Sequence, residues 1–457
     1  MTRFRDFLSN LQSSGELITV EKEVDPRYEL GALLQQAEAR SKAIQFNSVK
    51  ERVFPCVGGL FTTSHRMAQS LGLNNPQGFT LEQHWKLICD AIEKPIKSVI
   101  VDEALCQESI AIGDQVNCDQ LPAPTFFDGD SGPFLTAATV ISRNPSNGIL
   151  NAGIYRILML DANHVAVSAS PTSALFGFME TAAKQGQTTS ALLVIGSDPS
   201  VLMTGCAKVP SDVSELDVAG ALNGEPLRLV KAVSSDLLAP ADSEIVLEVE
   251  IDPSDEKIPN TMGEFGDFYG TQLAAVAKVT AITNRKDAIF HTVMAGAGLE
   301  HNGIGFIILS EIEPEISQLI KEKYPAVQDV HAYFEPPRFS VVGDIYIKLH
   351  ENPDCNVTQL IKDTFALRSS NFDIARIVRR VIVVDHDIDI QNYREIDWAL
   401  SVRVNRSNQI QLITDLAASD GNLRVGIDAT ESIDDKEKFR RPEIPGAAEF
   451  SLDDYLN

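Results

Sequence analysis

What this 457-residue chain lacks narrows the field first. It has no run of about eighteen apolar residues, so no segment reads as a membrane span. Its opening, MTRFRDFLSNLQSSGEL, holds basic residues but neither a continuous apolar core nor a small-residue cleavage site. The expectation is therefore a cytoplasmic protein without a secretory signal. Positive charge is scarce: 39 Lys plus Arg against 64 Asp plus Glu leave a formal net charge of −25. Such a field repels phosphate backbones and acidic lipid, which argues against nucleic acid as a partner. The six cysteines, Cys56, Cys89, Cys106, Cys118, Cys206 and Cys355, form no C-x-x-C pair. That excludes the common zinc and dithiol patterns and leaves reduced, structural thiols. Also missing are G-x-x-x-x-G-K-[ST], H-E-x-x-H, G-x-S-x-G and G-x-G-x-x-G, and the eight histidines have no metal-ligand spacing.

What is present is ordinary globular texture, 44% hydrophobic and 23% charged, in a chain too long for one core. Phe4, Phe7, Leu8 and Leu11 follow helical spacing up to a stop near Gly15, and strand Glu16 to Val24 follows. Helix Leu81 to Ile92 and strand Ser98 to Val101 complete an α/β opening. After Cys118 the chain becomes turn-rich and then β-branched, with strands at Ala137 to Ser142, Ile154 to Leu160, His164 to Ser168, Leu192 to Ile195, Ser243 to Ile251 and Leu273 to Ile282. Their period-2 alternation and the few intervening helices predict an antiparallel barrel or sandwich. From Ser310 helix and strand alternate again, starting with helix Pro314 to Lys323, and predict a C-terminal α/β domain with an extended, charged tail.

The chemistry sits in polar residues set among apolar ones. In NAGIYR, Asn151 to Arg156, an amide, a glycine and an arginine interrupt a strand. Such a set can hold a cation, admit a ligand to the backbone and grip a carboxylate, although a bulge with a surface arginine is the simpler reading. In SELDVAGAL, Glu215 and Asp217 stand at a helix start, where carboxylates suit the dipole. In TMGEFGDFYG, Glu264 and Asp267 lie among glycines and aromatics, as in a strand turn or a loop aiming an acid into an apolar pocket. Asp385, Asp387 and Asp389 read as a turn with a helix N-cap and a subunit-contact role.

In order and spacing these segments resemble the UbiD-like family of decarboxylases that use prenylated FMN. FRDFLSNLQSSGELITVEKEVD, FFDGDSGPFLT, NAGIYRI, SELDVAGAL, GEFGDFYG and VGIDAT follow the family's order from about residue 3 to 445. The resemblance implies an N-terminal α/β domain (1–117), a central split-barrel flavin domain (118–305) and a C-terminal α/β oligomerisation domain (306–457). It implies reversible non-oxidative decarboxylation of an aromatic, heteroaromatic or α,β-unsaturated acid, in a homodimer or hexamer supplied by a flavin prenyltransferase. Asn151 and Glu215 would hold Mn2+, with K+ as an accompanying ion. Ile154, Tyr155, Arg156, Ser168 and Ser170 would line the flavin, Arg156 would orient the substrate carboxylate, and Asp267 would deliver the proton.

Two departures stand out. Met262 occupies the place of the glutamate that pairs with the family's arginine, so Glu264, two residues on and on the same strand face, is expected to replace it. No histidine lies near 170 to complete the metal site; Ser168, Ser170, Thr172 and Ser173 stand there, and His164 comes too early. The alternative reading is therefore a specialised relative, a flavin-binding scaffold or a carboxylase-complex subunit. MAGAGLEHNG, Met294 to Gly303, differs from the loop of ubiquinone-pathway members and leaves the substrate open, while Glu300, His291 and His301 read as structural or pocket-lining.

Overall fold

The computed structural model describes residues 3–73, 78–171, 173–264, 268–296, 298–333, 343–351, 353–368, 378–413 and 423–430. These fall into two compact units, one running to Pro314 and the other beginning at Glu315. The fold is mixed α/β in both.

The first unit opens with helix Arg3–Ser13, which buries Phe4, Phe7, Leu8 and Leu11 and is followed by Gly15 at φ +69°. A four-stranded sheet joins Leu17–Val20, Ala43–Phe46, Cys56–Gly58 and Phe290–His291. The larger element is a ten-stranded sheet whose recorded pairings are all antiparallel. From one end its order is Phe134–Leu135, Arg156–Met159, His164–Ser168, Tyr269–Asn284, Ile245–Ile251, Thr189–Ile195, Thr139–Arg143 and Leu150–Ile154, with Ile258–Gly263 and Ser109–Ile112 paired to the long Tyr269–Asn284 strand. Leu150–Ile154 closes one end, yet Arg156–Met159, one residue later, lies next to the edge strand at the other. The sheet must therefore curl into a half-barrel whose ends meet at Tyr155. The expected single strand Ile154 to Leu160 is broken there, because a residue bridging two sheet ends cannot belong to either ladder. Val140, Ile157, Val165, Val167, Leu193, Leu247 and Val279 fill its interior.

Helix Leu299–Lys323 is longer than the sequence predicts: it starts within MAGAGLEHNG and runs through Pro314. The missing start signal is supplied from elsewhere in the chain. The Glu38 carboxylate accepts hydrogen bonds from Leu299 N (2.7 Å) and Glu300 N (3.2 Å), filling the role a local N-cap would play. In the second unit a five-stranded sheet orders Val327–Tyr333, Gly343–Leu349, Val378–Val384, Arg424–Ala429 and Ile410–Ile413, parallel at its centre and antiparallel at both edges. There Asp385 and Asp387 pair with the buried Arg403 guanidinium, and Asn392 rather than an aspartate caps helix Tyr393–Arg403. The expected tail lies outside the described residues.

Candidate active site

A cavity of about 340 Å3 opens where the half-barrel's ends meet, lined by Ile154, Tyr155, Arg156, Ser168, Ser170 and Glu264 among others. Sequence reasoning singled out each of these six. Asp267 lies outside the described residues, so its position relative to them is not part of the geometry.

Arg156 is not a surface arginine. Its side chain is 6% exposed, and it starts a strand directly opposite Ser168 in the neighbouring strand's register. The guanidinium donates through Nη1 to Asn260 Oδ1 (3.2 Å) and to the Gly270 carbonyl (3.0 Å), and through Nη2 to Glu264 Oε1. Burial lowers its pKa from 12.5 and the Glu264 carboxylate opposes that shift, so the group remains a cation. The reach of Glu264 depends on its own hairpin. Glu264 N donates to Phe268 O (2.8 Å), and a Cβ at Gly270 would stand 2.5 Å from Glu264 Cγ, so a larger residue at 270 would displace the Glu264 side chain from this position.

The FFDGDSGPF turn holds that hairpin from the side. Asp130 accepts from Phe126 N, Phe127 N and Gly263 N at 3.0–3.1 Å, while Tyr269 Oη donates to Asp128 Oδ1 (2.7 Å). Burial raises the Asp130 pKa and the three backbone N–H groups pull it back. The Phe127 ring packs where a Cβ on Gly263 or Gly296 would stand. Next to that contact, with Gly296 N bonded to the Gly263 carbonyl (3.1 Å), His301 donates from Nδ1 to the Gly296 carbonyl (3.0 Å), and burial drops its pKa to about 4, so it is neutral near pH 7. Glu300 instead accepts from His291 Nε2 (2.9 Å) and from Gly59 N (2.5 Å), a buried structural contact.

Asn151 and Glu215 come together away from this wall. Asn151 Nδ2 donates to Glu215 Oε1 (2.6 Å), and Ala152 N donates to Glu215 Oε2 (3.0 Å). Glu215 begins helix Glu215–Asn223, capped by Ser214, whose hydroxyl also reaches the Leu150 carbonyl (2.8 Å). Burial pushes the Glu215 carboxyl up to about 7, with no cation beside it among the described residues. Among the described residues no cluster of three His, Cys, Asp or Glu groups forms a metal cage. Gly153 plays a different part from the expected ligand approach: the Tyr155 ring fills the space a Cβ would need, at 2.8 Å.

Sequence reasoning missed Asn260, which is fully buried and donates from Nδ2 to Ser168 Oγ (2.7 Å). The signal was available: Asn260 and Met262 lie two apart on strand Ile258–Gly263 and Glu264 follows its end at the same spacing, so the argument that linked the last two extends one step back.

Known proteins resemble this chain in sequence and architecture. Residues 8–80, 97–298 and 306–429 match the N-terminal, Rift-related and C-terminal domains of 3-octaprenyl-4-hydroxybenzoate carboxy-lyase, the UbiD family. The UbiD-class enzyme HmfF from Pelotomaculum thermopropionicum, in an evolved dimeric form in complex with prFMN, is 29% identical with a TM-score of 0.79, over 99% of each chain. Vanillic acid decarboxylase from Sedimentibacter hydroxybenzoicus, in open form, is 25% identical with a TM-score of 0.77, over 98% of this chain and 96% of its own. The 3,4-dihydroxybenzoic acid decarboxylase AroY of Klebsiella pneumoniae shares the fold at 22% identity and a TM-score of 0.78, over 98% of this chain and 99% of its own.

Proposed function

The chain belongs to the UbiD family of carboxy-lyases, and from that premise we propose that it interconverts an aromatic, heteroaromatic or α,β-unsaturated carboxylic acid with its decarboxylated product, using prenylated FMN. The observation that carries this reading is the Arg156 guanidinium, buried at the cavity wall and held by Glu264 and Asn260. An arginine desolvated in this way has one evident use in a cavity of this size, the recognition of an anion.

The residues present fit a flavin. Ile154 and Tyr155 offer an apolar wall beside the hydroxyls of Ser168, Ser170 and Ser173 and the Arg156 cation. Asn151 and Glu215 fit a hard divalent ion such as Mn2+, alone or with K+, because both carry oxygen donors and the buried carboxylate has no positive neighbour among the described residues. When bound, prenylated FMN would supply the electron sink that decarboxylation needs.

Arg156 orients the substrate carboxylate through its N–H donors. Glu264 offsets the arginine's charge, so the carboxylate is positioned without being locked in place. Carbon dioxide departs with the carbon–carbon bond broken, and the electron pair left on carbon takes a proton from Asp267. In the reverse direction Asp267 removes that proton. We further propose a cytoplasmic homodimer or hexamer that receives its flavin from a prenyltransferase.

Co-expression with a flavin prenyltransferase, followed by incubation with vanillate, 3,4-dihydroxybenzoate and furan carboxylates in deuterium oxide, tests the reading. Deuterium should enter the carbon that bore the carboxylate, and Arg156→Ala should abolish incorporation. A coloured, flavin-loaded protein that exchanges no deuterium with any of these would count for the scaffold instead. For the metal site, Mn2+ at about a hundred times its Kd should stabilise the protein by about 2.7 kcal/mol. Glu215→Gln should erase that gain in a thermal melt.

A further inference from the structure

The buried Asn260 amide has no part in the reaction as stated, yet it lies on the same guanidinium. Its orientation follows from chemistry: Arg156 can only donate, so the amide atom facing Nη1 at 3.2 Å is the oxygen. The NH2 group is then turned to Ser168, whose hydroxyl oxygen accepts at 2.7 Å. Ser168 is itself 4% exposed and sits opposite Arg156 in the adjoining strand. The three side chains thus form a closed bracket across three strands, Arg156 on one, Ser168 on the next and Asn260 on Ile258–Gly263.

We propose that Asn260 is a positioning residue for Arg156, a neutral acceptor that fixes the guanidinium at the cavity wall without adding a further negative charge to those of Glu264 and Asp130. A carboxylate at 260 would satisfy Nη1 equally well. It would also add its charge to those of Glu264 and the nearby Asp130, strengthening the negative surroundings of the arginine and repelling an incoming carboxylate. An alanine would leave Nη1 one acceptor short and release Ser168. The amide keeps the geometry that a second acid would give and avoids its charge. This inference rests on the proposed role of Arg156 toward a substrate carboxylate, but the state of the arginine itself can be measured without substrate.

The experiment is phenylglyoxal labelling of Arg156 in the full-length, flavin-free protein, followed by peptide mass spectrometry. Asn260→Ala should label about tenfold faster than the wild type, the effect of losing a hydrogen bond to a charged group. Asn260→Asp should label more slowly, because a second carboxylate both pins the guanidinium and holds its proton. Ser168→Ala, a milder change, should fall between wild type and Asn260→Ala, and it serves if the alanine variant at 260 does not fold. A purely structural role would loosen the site in both Asn260 variants and speed labelling in both. That result, or wild-type rates throughout, overturns the proposal. With a turned-over acid, Asn260→Asp should raise KM far more than it lowers kcat. If no acid is turned over, the decarboxylase reading fails while the labelling result stands independently.

Discussion

Arg156 has three protein acceptors and little water, and only one of the three, Glu264, is an anion. In a decarboxylation the substrate's negative charge leaves its carboxylate, so tight binding of that carboxylate by a full cation stabilises the ground state more than the transition state. Glu264→Gln keeps the side chain's shape and removes its charge. We expect KM to fall and kcat to fall with it, by about tenfold, the signature of lost ground-state restraint. Unchanged steady-state constants would mean that Glu264 only props up its hairpin. The residues of this site were legible in the sequence wherever chemistry and pattern coincided, as at Arg156 and Glu264. Asn260 offered only its two-residue spacing from Met262, a weak signal, because a lone amide between Pro259 and Thr261 carries no charge and its partners are distant in sequence, 92 residues away at Ser168 and 104 at Arg156. The position of Tyr155 between the two sheet ends was not legible, since pairing partners are chosen by the whole sheet and not by local alternation.

At the scale of elements, the half-barrel strands were legible as β-branched apolar runs bounded by turn residues, although Thr189–Ile195 and Ile245–Ile251 are buried on both faces and do not alternate cleanly. The start of helix Leu299–Lys323 was not, because its capping group, Glu38, comes from a helix far back in the chain. Glu38 is buried, and its carboxyl is pushed up to about 7 by desolvation and by the nearby Glu300 charge. Removing it in Glu38→Ala strips two backbone donors of their acceptor and should cost about 1–2 kcal/mol in a denaturant midpoint. It should also blunt turnover, since His301 and Ile304 stand on the first turns of that helix and line the cavity. A stable variant with wild-type midpoint would show that the helix start is held by other contacts. The same helix is tied to helix Leu81–Glu93 through His84 Nδ1, which donates to Ser310 Oγ (2.7 Å), since the serine's own hydroxyl is committed to Ile307 O. Burial lowers the His84 pKa to about 4 from its ordinary 6.5. Between those values the unfolded chain binds the proton and the folded chain does not, so this group's contribution is fully present above the unfolded value and lost as pH falls. Relative to His84→Gln, the wild type should lose about 2 kcal/mol more on going from pH 7 to about pH 5. Parallel stability profiles for the two proteins would remove His84 from the acid response.

For the molecule as a whole the deciding quantity is its net charge of −25. A carboxylate substrate approaches against that field, and among the described residues that line the cavity the attraction comes from Arg156. The two respond differently to salt. Repulsion from surface carboxylates acts over the Debye length, about 30 Å at 0.01 M and about 8 Å at 0.15 M ionic strength, and is largely screened at the higher value. The contact with a buried guanidinium is screened much less, because water and ions are excluded from it. Raising ionic strength across that range should therefore increase kcat/KM severalfold, chiefly through faster capture, the reverse of what an electrostatically steered enzyme shows. An uncharged ester or amide analogue of the same acid, used as a competitive ligand, should bind with no such salt dependence. If kcat/KM for the acid instead falls with salt, a basic path to the cavity must outweigh the acidic surface, and the segments of Lys and Arg nearest the cavity mouth would become the next positions to mutate.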